Sequence, residues 1–320
     1  MNMSLSTRGG ESLLKNQNTL LLAVLVLIAV VVTLINPNFL RVGNIVSIFQ
    51  QISVLGILTM AMALLLISGG IDLSLGTMMA LTAVVISRFV TDGHPLVVAV
   101  AAGIIVAALC GLVNGLIIAL TKTMPLIITL GMASVQFGIA LMVSGGQFMN
   151  FGGVFDPIGR TRIAGVLPAT IIFFIAAVAV AYVLLNYTRF GRRIVAIGGN
   201  EENAYLSGIA VARHKVAIYT IGGLLAGVAS IVLVSRLDSI VATAGTGYEL
   251  SALTAAVIGG VTFAGGRGTI GGAFIGVVVM GVISNAMTIL AINSYLQTAI
   301  TGGIIVVAVI LSNLTTMRRS

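Results

Sequence analysis

Residues 96–121 read LVVAVAAGIIVAALCGLVNGLIIALT, a run without one charged side chain. As a helix it is about 39 Å long, against a bilayer hydrocarbon core of about 30 Å. The next stretch, 123–155, is equally free of charge. Two such runs in succession mark membrane crossings rather than a soluble core. The rest of the chain agrees: 58% of its 320 residues are hydrophobic and 8% are charged, where an ordinary soluble domain has about 25% charged. Mean hydropathy is +1.18. A cytosolic enzyme, a secreted disulfide scaffold and a disordered chain are all excluded. The formal charge of +8 comes from basic residues scattered in short clusters between apolar runs. That is a pattern of membrane topology, not of nucleic-acid binding. The single cysteine, Cys110, allows no intrachain disulfide and reads as a small apolar filler.

Working outward from 96–121, the apolar runs predict an all-α polytopic membrane protein. About ten spans are expected: 19–36, 46–68, 73–91, 96–121, 125–143, 167–187, 216–235, 250–264, 270–289 and 295–314. The weakest, 250–264, is followed by Gly265-Gly266-Arg267-Gly268 and is expected to be a short or re-entrant helix. The whole chain, 1–320, reads as one transmembrane domain containing a single long polar loop, 188–215. With the N-terminus inside, 11 basic residues fall on inner segments and 5 on outer ones, as the positive-inside rule requires. Both chain ends are then cytoplasmic. The first apolar run follows Arg8 and Lys15, lacks a small-x-small cleavage pattern, and reads as an uncleaved signal anchor. There is no Trp, and Tyr187, Tyr219, Tyr248 and Tyr295 fall at or near predicted helix ends, where an aromatic belt would lie.

Glycine is abundant and patterned. Gly111–Gly115, Gly223–Gly227 and Gly272–Gly276 are each spaced by four, which lets helix backbones approach closely. The segments Gly69-Gly70-Ile71-Asp72-Leu73-Ser74-Leu75-Gly76 and Gly265-Gly266-Arg267-Gly268-Thr269-Ile270-Gly271-Gly272 share glycines at a constant offset of 196. Each follows an apolar run and opens the next, as paired helix breaks do in transporters. Chance similarity in a glycine-rich chain is the competing explanation. The expected topology puts both breaks on one side of the membrane.

Enzyme chemistry is missing. The only lysines are Lys15, Lys122 and Lys215, and none follows glycine, so no phosphate-binding loop of the G-x-x-x-x-G-K type exists. His94 and His214 are expected on opposite sides and cannot share a metal with Cys110. No metal site and no catalytic residue are assigned. At membrane depth the polar residues are neutral: Asn114, Gln136, Asn285 and many hydroxyls. They suit either a neutral hydroxyl-rich solute or hydrogen bonding between helices. An ion-coupled carrier ordinarily keeps carboxylates or histidines at the midplane; this alternative is disfavoured here. Asp72 reads either as an N-cap ahead of Leu73-Ser74-Leu75-Gly76 or as a gating residue. Tyr248, Glu249 and Asp238, near the outer mouth, are either gate and docking residues or locally bonded surface.

The inner loop reads TRFGRRIVAIGGNEENAYLSGIAVARHK from Thr188 to Lys215. Asn200 is placed to cap a short helix whose first turn holds Glu201 and Glu202. Tyr205 and Ile209 are expected on one face, and Gly208 ends the helix. So short a helix is unstable alone. It is either a nascent turn in a solvated loop or a helix that docks into another protein.

Three segments carry a resemblance: SGGIDLSLG at 68–76, GRRIVAIGGNEENAYLSGI at 191–209, and AGTGYELSALTAAVIGGVTFAGGRGTIGGAFIG at 244–276. The chain resembles permease subunits of bacterial ABC importers for monosaccharides, the ribose, arabinose, galactose and allose group, with ribose-type permeases most similar. The likeness runs from about Asn36 to the C-terminus. It implies an inner-membrane permease importing a monosaccharide by alternating access, with a second permease chain as partner, in a homodimer or with a sister permease. A cytoplasmic ATPase subunit would bind ATP and Mg from below, with no cofactor in this chain. A periplasmic sugar-binding protein would dock on outer loops including 144–166 and 236–249. Asn200, Glu201, Glu202, Ala204, Tyr205, Ser207 and Gly208 occupy the coupling-helix position, although Asn203 departs from the alanine common there. Asp72, Asn114, Asn285, Tyr248 and Glu249 are the candidate gating or pathway residues.

Overall fold

The computed structural model describes residues 17–165 and 167–317. Arg8, Lys15, Arg318 and Arg319, counted above for the inner side, lie outside the described residues. Twelve helices are described, besides single helical turns at Pro37–Leu40 and Asp156–Gly159. In chain order they are α1 Gln17–Ile35, α2 Val42–Ile67, α3 Leu75–Thr91, α4 Leu96–Thr121, α5 Pro125–Ser144, α6 Thr170–Tyr187, α7 Arg189–Gly199, α8 Glu201–Leu206, α9 Val211–Leu237, α10 Tyr248–Ile258, α11 Ile270–Ile289 and α12 Ser294–Met317.

Six of these, α2, α4, α5, α6, α9 and α11, are long and apolar enough to cross a membrane. Four shorter apolar stretches, Leu21–Ile35, Leu75–Thr91, Tyr248–Ile258 and Ser294–Ile310, fall at the other expected spans. Length and composition therefore support six crossings outright rather than ten. The expected 250–264 span shrinks to α10, a half-helix of 11 residues. In the other direction α9 starts five residues before the expected 216. Its first turns carry Arg213, His214 and Lys215, and their polarity hid them from a hydropathy reading.

α2 is the central post, packed by α6, α9, α10 and α11 and almost wholly buried beyond Ser53. The glycine stripes do what their spacing predicts. A Cβ at Gly115 would lie 2.8 Å from Val216 Cα, and one at Gly223 would lie 3.2 Å from Gly111 Cα. So the stripes of α4 and α9 face each other. On α11, Gly272 and Gly276 lie against the backbone of α10 at Gly259 and Ala255.

Two small antiparallel strand pairs lie outside the helices. β1 (Met149–Asn150) pairs with β4 (Ser239–Ile240), and β2 (Arg162–Ile163) with β3 (Leu167–Pro168). The first pair ties together the two loops expected to face the outside. Asp238 adds to it, its carboxylate accepting from the Gly153 N–H at 2.9 and 3.0 Å.

Candidate functional site

The polar loop 188–215 folds into α7 and α8. Thr188 caps α7 by accepting from Gly191 N–H, and Asn200 caps α8 by accepting from Asn203 N–H at 2.8 Å. At the other end of α8 the Gly208 N–H donates to Tyr205 O at 2.9 Å and the Ile209 N–H to Ala204 O at 3.1 Å. These two bonds form a Schellman cap, which demands a left-handed residue between them. Gly208 supplies it with φ +79°. Ala204, Ile197 and Val211 form a small core of their own, with Ile209 against it. Tyr205 and Leu206 point outward, 70% and 74% exposed. Tyr205 and Ile209 thus do not share a face, contrary to their spacing: the chain turns at Gly208, and Ile209 folds back as the hydrophobic member of the cap. Lys215 Nζ reaches Glu201 Oε2 at 2.6 Å, an exposed pair bracing α8 on α9.

The end of α7 carries a glycine pair, Gly198-Gly199, that meets both helix breaks. The Gly266 N–H donates to Ile67 O, the last carbonyl of α2, at 2.9 Å. A Cβ on Gly198 would lie 2.7 Å from Gly266 N and closer still to Ile67 O. One on Gly265 would lie 2.6 Å from Gly198 O and 2.9 Å from Gly69 Cα. Three glycine pairs, at 69–70, 198–199 and 265–266, therefore join backbone to backbone. The two breaks lie against each other, and the segment leading into α8 is wedged against both.

Beyond the first break the chain passes through a buried polar network. Asp72 Oδ1 accepts from Ser74 N–H at 2.8 Å and from Ser74 Oγ at 2.6 Å, while Oδ2 accepts from Asn114 Nδ2 at 3.1 Å. Asn114 Nδ2 also reaches Ser74 Oγ at 2.9 Å, and Thr77 Oγ1 donates to Gln136 Oε1 at 2.9 Å. Asp72 is not the expected N-cap. Ser74 stands at that position, and Asp72 closes a turn two residues ahead of α3. Tyr219 from α9 completes the knot: its hydroxyl donates to Ile71 O at 2.9 Å and accepts from Ile71 N–H at 3.2 Å. Tyr219 is 1% exposed, so it is no belt residue.

Glu249 and Tyr248 open α10, following Gly247 at φ +87°. Glu249 Oε1 accepts from Gly247 N–H at 3.0 Å. Its Oε2 is buried without a hydrogen-bond partner, beside Gly76. Gly76 and Gly245 touch through their backbones, so the first turns of α3 and α10 meet. The structure brings Asp72 and Asn114 together and places Glu249 against α3 at Gly76, while Tyr248 lines a cavity with Gln51 and Arg236. Asn285 stands apart from these four. It forms a reciprocal amide pair with Asn44, at 2.8 and 3.0 Å, that bolts α11 to α2. Tyr219 and Gly198 were not singled out as functional residues from the sequence. The one available signal was the glycine doublet at 198–199 in the segment leading into α8.

Residues 44–309 match the family described as the permease component of branched-chain amino acid transport systems. The chain is 40% identical to the ribose import permease protein of Escherichia coli K12 over 298 residues, 92% of each chain. It is 38% identical to the ribose import permease protein of Bacillus subtilis over 292 residues, 90% of each. It is 34% identical to the D-allose transport system permease protein of Escherichia coli K12, over 90% of this chain and 89% of that one. No solved structure matches. The chain belongs to this transport-system permease family. These three relatives are all sugar-transport permeases.

Proposed function

We propose that this chain is the membrane-spanning permease of an ATP-driven importer for a ribose-like monosaccharide, working by alternating access in a bacterial inner membrane. Ten crossings, counting α1, α3, α10 and α12, would leave both termini in the cytoplasm. Two permease chains form the pore, with a homodimer the simplest arrangement. A separate ATPase subunit binds ATP and Mg and docks on α8 through Tyr205 and Leu206, around Asn200, Glu201, Glu202, Ala204, Ser207 and Gly208. A periplasmic sugar-binding protein docks on the paired loops at β1 and β4. Asp72, Asn114, Tyr248 and Glu249 serve as gating residues where the two broken helices meet, and Asn285 holds the frame.

The observation that carries this reading is α8 itself. A six-residue helix with caps at both ends exposes two large side chains directly below a backbone junction with both helix breaks. Movement of α8 by a partner has a stiff route into α2, α3, α10 and α11. The sequence contains no G-x-x-x-x-G-K phosphate loop, which fits energy arriving through such a contact. The test is ATP-driven uptake in proteoliposomes holding the co-expressed ATPase and binding protein. Glu201→Lys and Gly208→Arg are expected to abolish uptake while the permease stays folded in the membrane. Normal uptake in both variants would remove the coupling assignment.

A further inference from the structure

Away from α8, at the far end of α9, a cavity of about 600 Å³ opens between α2, α10, α11 and α12. Its size is within the range of about 300–1,000 Å³ usual for small-molecule clefts. Its lining is rich in neutral oxygen. The hydroxyls of Ser251, Thr298 and Thr301 each donate to a backbone carbonyl four residues back, at 2.9, 3.1 and 2.8 Å. A hydroxyl has one proton to donate and two lone pairs, so these three face the cavity as acceptors. Donors come from elsewhere. The Arg236 guanidinium lines the cavity with no carboxylate within 4 Å among the described residues, held only by one long bond to Gln50 O at 3.4 Å. Gln51 and the Tyr248 hydroxyl also line it and make no hydrogen bond of their own among the described residues.

Resting on the importer reading, we propose that this cavity is a transit subsite for a neutral polyol. A sugar hydroxyl is both donor and acceptor, and the wall offers both, with the single cation spread over five N–H groups. The apolar remainder, Ile52, Leu55 and Met280 among it, suits the C–H face of a sugar ring. The permease is then not a passive pore behind its binding protein. It handles the sugar at the first turn of α10, next to Glu249 and the α3–α10 contact. Opening and closing of that contact would take the sugar onward.

The test uses the full transporter complex in proteoliposomes, in a Cys110→Ser background, with Ser251→Cys and Thr298→Cys as separate reporters. Each is modified by a membrane-impermeant thiol reagent with and without ribose, allose, arabinose and galactose. The expected result is that one or more of these sugars slows modification of both positions, by about tenfold at a free concentration about ten times the Kd. Arg236→Gln is expected to weaken that protection about tenfold or more. Modification rates unchanged by any sugar, while the unsubstituted complex imports one, would overturn the subsite and leave the importer reading standing. So would thiols that no reagent reaches, because lipid or a second permease chain fills the space, or protection by sugar phosphates and sugar acids alone. If the unsubstituted complex imports no monosaccharide, the transport reading fails and takes the subsite with it.

Discussion

Replacing Gly198 by alanine adds one methyl group at a point where three backbones touch. The new carbon would stand 2.7 Å from Gly266 N and closer to Ile67 O, and neither neighbour is a side chain that can rotate away. Relief requires α7 to withdraw, which lengthens the bond from Gly266 N–H to Ile67 O, now 2.9 Å. Overpacking of this kind costs about 1–3 kcal/mol, and the weakened buried hydrogen bond about 1 kcal/mol more. Together they come to about 2–4 kcal/mol, a shift of about 30- to 1,000-fold in any equilibrium that makes this junction. The adjacent residue is the control, since a Cβ on Gly199 meets nothing within 4 Å. Gly199→Ala should be neutral or slightly stabilising, because alanine favours the helix. The assay is thermal unfolding of each purified permease in detergent, followed by ATP-driven uptake in the reconstituted complex. Gly198→Ala should melt earlier and transport poorly, and Gly199→Ala should do neither. Equal melting and equal uptake in the two variants would refute the idea that the junction is tight and that movement passes through it.

Other consequences are more local. Asp72→Ala leaves the buried Ser74 N–H without its acceptor and the Asn114 amide with only Ser74 Oγ, and should cost about 1–3 kcal/mol, while Asp72→Asn, which keeps an acceptor oxygen, should cost less; melting curves of the two separate these outcomes. Tyr219→Phe leaves both the N–H and the carbonyl of Ile71 without their partner and should destabilise by a similar amount, with faster hydrogen exchange at Ile71 as the specific sign. Asn200→Ala removes the α8 cap at about 1 kcal/mol, so exchange over 201–206 should rise while the global melting temperature barely moves. Asp238→Ala releases the Gly153 N–H and should loosen the β1–β4 pairing, read as faster proteolysis of the 144–166 loop with α2 and α9 still protected.

Much of this was legible in the sequence, and the reason differs from part to part. Long apolar runs fix their own helices, so 96–121 and 270–289 coincide with α4 and α11 to the residue. The caps of α8 are equally local: Asn200 and Gly208 each act within four residues of themselves. The glycine spacings announced close packing but not the partner, since four-residue spacing says nothing of which stripe faces which. Side-chain meetings across the fold were out of reach. Tyr219 looks from the sequence like any tyrosine near a helix end, and only the approach of α9 to the first break turns it into the clasp on Ile71. Asp72 was misplaced by two residues because Ser74, adjacent to the helix, took the capping position. Nothing local marks Arg236, because its place in a cavity depends on residues from four other helices.

Thr33, Ser53, Thr59, Thr82, Thr220 and Thr254 all donate to the carbonyl four residues earlier in their own helix. None of these six therefore acts as a donor across a helix interface. At these six positions the hydroxyl's proton stays inside its own helix, and each helix there presents methyl and methylene surface to its neighbours. A small displacement at these six positions would exchange dispersion contacts and break no hydrogen bond of the six hydroxyls. Hydrogen bonds that a relative movement of the helices would have to break are instead gathered at a few places, among them Asp72, Tyr219 and the Asn44–Asn285 pair.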